Sequence, residues 1–131
     1  MKKSVILTMV AIVVAMLSCK KGQMPAVSPH SLTVKFRLYT DKDLSDDSNN
    51  IIFSIFIRKK NTTLFDSTLA TIKIKDIPDA ANAWVYEKKI HNNNSILIAG
   101  FRYVIENVGN SSHSDTISAN EESKLIDYPF H

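Results

Sequence analysis

From Leu32 onward the chain alternates apolar and polar residues, the period of a half-buried strand rather than of a helix. Leu32, Val34, Phe36 and Leu38 alternate with Thr33, Lys35, Arg37 and Tyr39, so the first segment buries one face and wets the other. Ile51, Phe53, Ile55 and Ile57 form the apolar side of a second run, and Ile52, Ser54 and Phe56 make its other side partly apolar as well. Arg58-Lys59-Lys60-Asn61 ends that run. A short strand is expected over residues 64–67. Another is expected over residues 70–75, where Ala70, Ile72 and Ile74 alternate with Thr71, Lys73 and Lys75 ahead of Pro78.

Trp84, Tyr86 and Ile90 against Val85, Glu87 and Lys89 predict the next strand. His91-Asn92-Asn93-Asn94-Ser95 then reads as a hairpin loop, because Asn tolerates left-handed backbone at low cost. Residues 96–107 are apolar on both faces, with Leu97, Ala99, Phe101, Tyr103 and Ile105 on one and Ile98, Gly100 and Val104 on the other, which predicts a central strand. A turn is expected at Gly109-Asn110-Ser111-Ser112. The last strands are expected over residues 115–119 and 124–130, separated by the polar stretch Asn120-Glu121-Glu122-Ser123. No window carries a helical stripe. About seven short strands in about 100 residues predict an all-β domain, a single antiparallel β-sandwich of immunoglobulin-like or transthyretin-like topology, with the strand order left open.

The first residues follow different rules. Met1-Lys2-Lys3 is a basic start, and Val5 to Leu17 is a mostly apolar run without charge, the pattern of a secretion signal. The run is shorter than the roughly 20 apolar residues that a membrane-spanning helix needs. Three parts are therefore expected: a cleaved signal over residues 1–18, a tether over 19–31 containing Gly22, Pro25 and Pro29, and a sandwich over 32–131. All 6 Phe, all 4 Tyr and the single Trp fall in the last part.

Composition narrows the choices. The chain has 16 basic and 13 acidic side chains, a formal charge of +3, and loss of Lys2 and Lys3 with the signal would bring it to about +1. The one basic cluster in the domain is Arg58-Lys59-Lys60, so nucleic acid is not an expected partner. One cysteine, Cys19, excludes an intrachain disulfide.

Met16-Leu17-Ser18-Cys19 resembles the lipobox of bacterial lipoproteins, with Met and Leu where that motif prefers Leu and then Ala or Ser. The resemblance implies a diacylglycerol on the Cys19 thiol, cleavage before Cys19 and acylation of the freed amine, that is, two or three acyl chains, palmitate among them. Several chains make anchoring stable where one does not. The whole chain is similar to small single-domain lipoproteins of Bacteroidetes, in which a lipobox ending in Ser-Cys-Lys-Lys precedes an Asn- and Asp-rich sandwich. The residues after Cys19, Lys20-Lys21-Gly22-Gln23, lack the acidic cluster associated with surface export in that phylum. They also lack an Asp beside the Cys, so the resemblance implies the outer membrane, facing the periplasm.

Candidate chemistry is sparse. The 4 histidines, His30, His91, His113 and His131, are far apart in sequence, and His113 with Asp115 is the nearest approach to a ligand pair. Asp41, Asp43, Asp46 and Asp47 with Asn49 and Asn50 supply oxygens of the kind Ca²⁺ prefers, but Asp46 stands where an EF-hand needs Gly and Ile52 where it needs Glu. No nucleophile elbow or phosphate-cradling glycine loop is present. No metal, cofactor or catalytic residue is therefore expected. Trp84 with Tyr86 and Tyr39 is the candidate aromatic platform, with core packing as its competing role. Tyr103 invites comparison with the tyrosine corner of immunoglobulin-like domains, although Phe101 stands where that corner has Gly or Ala, and a buried Tyr with a satisfied hydroxyl is the expectation.

These features lead to the expectation of a lipid-anchored, non-enzymatic envelope module that binds a glycan or an envelope protein through loops or a sheet edge. The alternatives are a hydrolase with an unrecognised site and a structural subunit of a surface assembly that exchanges the run Lys124 to His131 between neighbours.

Overall fold

The computed structural model describes residues 29–131, so the expected signal, Cys19 and most of the tether lie outside the described residues. The domain is the expected all-β sandwich. Its strands are β1 (His30–Thr40), β2 (Asn50–Lys59), β3 (Thr62–Lys73), β4 (Trp84–Asn92), β5 (Leu97–Ile105), β6 (Gly109–Ile117) and β7 (Ser123–Phe130), with one 3-10 turn at Ile74–Asp76. A 3-stranded sheet, β4-β1-β7, lies against a 4-stranded sheet, β3-β2-β5-β6.

Lettered in chain order the two sheets are DAG and CBEF, whereas a constant-type immunoglobulin domain joins ABED and CFG. The constant-type immunoglobulin strand order is therefore not formed. One pairing departs from the antiparallel expectation: β1 and β7 run parallel, from Thr33 opposite Ser123 to Thr40 opposite Phe130. β7 reaches that place only after the chain has crossed from the other sheet, which is the long connection that parallel neighbours require.

The alternation seen in β1 and β2 is the core. Leu32, Val34, Phe36 and Leu38 meet Ile51, Phe53, Ile55 and Ile57 with Leu97, Ala99, Phe101 and Ile126 between the sheets, all essentially inaccessible. Phe36 and Phe101 interlock edge to face at 5.7 Å, an arrangement aromatic rings prefer to a face-to-face sandwich. Burial of each such side chain stabilises the fold by about 1.5–3 kcal/mol.

Phe56 points the other way, onto the outer face of the larger sheet, and is buried all the same. It stands opposite Gly100 on β5, and the Arg58 guanidinium covers its ring at 4.3 Å. The Arg58 side chain lies over the ring and shields it from water.

Three expected elements differ. Residues 64–67 and 70–75 are not two strands: 64–67 and 70–73 both belong to β3, 74 and 75 fall in the 3-10 turn, and β3 carries a register shift opposite Phe53 and Ser54. The shift puts Leu69 and Ala70, neighbours in sequence, both toward the interior, so the alternation changes phase in mid-strand. Residues 109–112 are the start of β6 rather than a turn; the turn is residues 106–108, with Asn107 at φ 60. The loop after β4 is not a hairpin, since β4 and β5 lie in different sheets. Asn92 holds that crossing: it is buried, its amide donates to the Ser95 and Ala119 carbonyls, and its carbonyl oxygen accepts from Ser95 N–H.

Candidate functional site

The pairing of β4 with β1 sets Trp84 opposite Leu38 and Tyr86 opposite Phe36. Both rings therefore lie on the inward face of β4. β4 is an edge strand, however, and beneath it lies β3, the edge of the other sheet, so the interior is open to solvent along this side. Trp84 is half-buried and Tyr86 is 39% exposed. With Phe36, Leu38, Leu69, Ala70, Val85 and Phe101 they line a cleft of about 200 Å³.

Two further side chains finish its rim. Phe65 of β3 stacks on Tyr86, 6.3 Å between centroids and 16° between planes, and Lys88 Nζ sits 4.5 Å above the Phe65 ring. Neither residue stands out in the sequence, because their contact crosses between sheets. The only trace is that Lys88 follows Tyr86 at the strand period of two. Tyr39 does not join: it lies on the outer face of the smaller sheet, under the Arg37 guanidinium at 4.4 Å, its hydroxyl donating to Asp127. The expected trio is thus a Trp84–Tyr86 pair completed by Phe65.

The outer face of the larger sheet offers a second, more polar surface. Ile52, Ser54, Arg102, Val104, Asn110 and Ser112 surround a shallow concavity of about 450 Å³. Arg102 is paired with Asp66, and Asn50 donates to Glu106 at 2.7 Å.

The remaining candidates are dispersed. The acidic run follows β1, where Asp43 and Asp47 accept N–H groups of their own loop; the hydroxyl and N–H of Ser45 hold Asp43 below its ordinary carboxylate pKa. Asp41 meets His131 at 3.1 Å, Asn50 is committed to Glu106, and among the described residues no group of three potential ligands is arranged to hold a metal ion. His30 faces the Glu121 carbonyl, His91 is exposed, and His113 stacks on Tyr128 at 5.0 Å.

Tyr103 is half-buried rather than buried, stacked on Tyr128 at 6.2 Å and edge-on to Phe130 at 5.3 Å. Burial, and then the neighbouring Tyr103 hydroxyl, push the Tyr128 hydroxyl pKa up. The C-terminal run is β7, paired along β1 within its own domain. Among the described residues no helix is long and apolar enough to cross a membrane.

The cleft is therefore built to hold a shape by contact. Its rings offer apolar area and stacking, and Lys88 brings a positive charge to the Phe65 ring beside it. No family model matches the chain, and neither does any curated protein or solved structure.

Proposed function

We propose that the chain is a lipid-anchored protein of the cell envelope, tethered through Cys19, whose sandwich is a non-enzymatic binding module for an envelope protein. The observation that carries this reading is the Trp84–Tyr86 cleft, a partly exposed aromatic pair at an open sandwich edge. Tyr and Trp are the residues that most often dominate binding energy when a partner covers them. A sugar ring needs hydrogen-bond partners around its hydroxyls. The lining residues of this cleft are almost all apolar, which favours an apolar side chain of a protein.

Position supports the same reading. β1 starts at His30, next to the tether, and Trp84 pairs with Leu38, eight residues further along, about 26 Å at the strand rise. Trp84 thus lies toward the end of β1 away from the tether, where a second envelope component has access.

The test uses the full chain in detergent micelles as bait for envelope proteins, alongside Trp84→Ala and Tyr86→Ala. Each substitution is expected to weaken recovery of a partner by at least about tenfold, the loss expected from a hot-spot ring. Recovery that ignores both substitutions would overturn the assignment. The polar concavity on the larger sheet favours a glycan as second reading; in that case glycan-array binding would be lost with Arg102→Ala and kept with Trp84→Ala.

A further inference from the structure

The two sheets are unequal, 3 strands over 4, and the two sides of the sandwich are not equally closed. At the β6–β7 side the interior is closed, with Ile126 and Phe130 buried and Tyr128 stacked on His113 at 5.0 Å. At the β3–β4 side β3 has no fully buried residue along its 12 positions: Phe65, Ser67 and Leu69 face inward and remain partly exposed. The inner surface of β3 is only partly covered there, and β4, packed above it, presents a free row of backbone N–H and C=O groups along its outer edge.

Resting on the reading of this cleft as the binding surface, we infer that its occupant is an extended segment of the partner protein, added as a fourth strand along the free edge of β4. An extended chain is the one shape that satisfies the open backbone row and covers β3 together, with main-chain bonds giving affinity and alternate side chains giving selectivity. The inward row on β4 is Trp84, Tyr86 and Lys88, each two residues from the next, so an added strand places every second side chain opposite one of them.

Charge specifies one of those side chains. Among the described residues no carboxylate lies within ion-pair distance of Lys88, whose ammonium rests on the Phe65 ring. Covering it with an uncharged strand would strip water from a cation without replacement. The fitting segment therefore carries a large apolar residue opposite Tyr86 and an acidic one two positions away, opposite Lys88, an apolar-x-acidic pattern within alternating Val and Thr.

Trp84 is the only tryptophan, so its fluorescence reports on the site without a label. The full chain in detergent micelles is titrated with ten-residue peptides of alternating Thr and Val that contain Leu-Thr-Asp or the reversed Asp-Thr-Leu. One of the two is expected to shift the emission to shorter wavelength and saturate. N-methylation of alternate residues is expected to abolish the shift in one of its two phases, since only one phase faces β4. Lys88→Glu is expected to weaken the acidic peptide by about tenfold and to favour a peptide with Lys in place of Asp. A shift that survives N-methylation in both phases, or ignores the charge swap, overturns strand addition and leaves the cleft as a pocket for a differently shaped partner. Silence with every peptide, while partner recovery still depends on Trp84, overturns the extended segment alone. Quenching of Trp84 by a glycan instead overturns both this inference and the reading on which it rests.

Discussion

Replacing Gly100 with Ala puts a single methyl group into a close contact between β5 and β6. An added Cβ would lie 2.0 Å from the backbone oxygen of His113 and 2.7 Å from Ser114 Cα, and both atoms belong to β6 main chain, which cannot swing aside as a side chain can. β6 must separate from β5 along the stretch where Gly100 opposes Ser114. Forced overpacking costs typically 1–3 kcal/mol, and a backbone obstacle places this case near about 3 kcal/mol. Against it stands a gain of about 0.4–1 kcal/mol from the stiffer unfolded chain, available because Gly100 has no positive φ. The net loss is about 2–3 kcal/mol, which in a domain of roughly 100 residues lowers Tm by roughly 10–20 °C. Calorimetry of Gly100→Ala beside Ser112→Ala, an exposed neighbour expected to change stability by less than about 0.5 kcal/mol, reads the difference. A Gly100→Ala melt within about 3 °C of the parent would refute the close β5–β6 approach.

Other substitutions probe other links. Asn92→Ala leaves the Ser95 N–H without its acceptor and the Ser95 and Ala119 carbonyls without a donor, so urea melts should show a loss of about 1–3 kcal/mol. The Tyr128 hydroxyl is raised above its ordinary 10.0, so the unfolded chain loses that proton first. Its contribution is complete below about pH 10 and declines as pH rises further; urea melts from about pH 8 to about pH 11 should show the fall, and Tyr128→Phe should flatten it. Cys19→Ser removes the proposed lipid site, and fractionation of cells should then find the chain outside the membrane pellet, with no incorporation of labelled palmitate.

How legible the fold was depended on whether a strand has one wet face. β1, β2, β4 and β7 show a period of two because one side of each meets the core, and β5 showed its interior place through apolar residues on both sides. β3 was split because its bulge changes the phase between Leu69 and Ala70. The first half of β6, Gly109-Asn110-Ser111-Ser112, is exposed and polar on both faces, so it carries the composition of a turn.

The candidate site was half visible for a related reason. Trp84 and Tyr86 share a face by spacing alone, but whether Tyr39 joins them depends on the β1–β4 register, which pairing sets and local pattern does not. Phe65 and Lys88 enter only when one sheet is laid on the other.

The central claim is that the β3–β4 cleft is where this protein meets its partner. A photoreactive residue at Val85, which is 57% exposed on the edge strand β4 that borders the cleft, tests it in intact cells, with one at Val108, 69% exposed in the β5–β6 turn, as reference. The account predicts a discrete crosslink to one envelope protein from Val85, lost with Trp84→Ala and absent from Val108. Equal crosslinking from both positions, or a Val85 crosslink indifferent to Trp84, would contradict it.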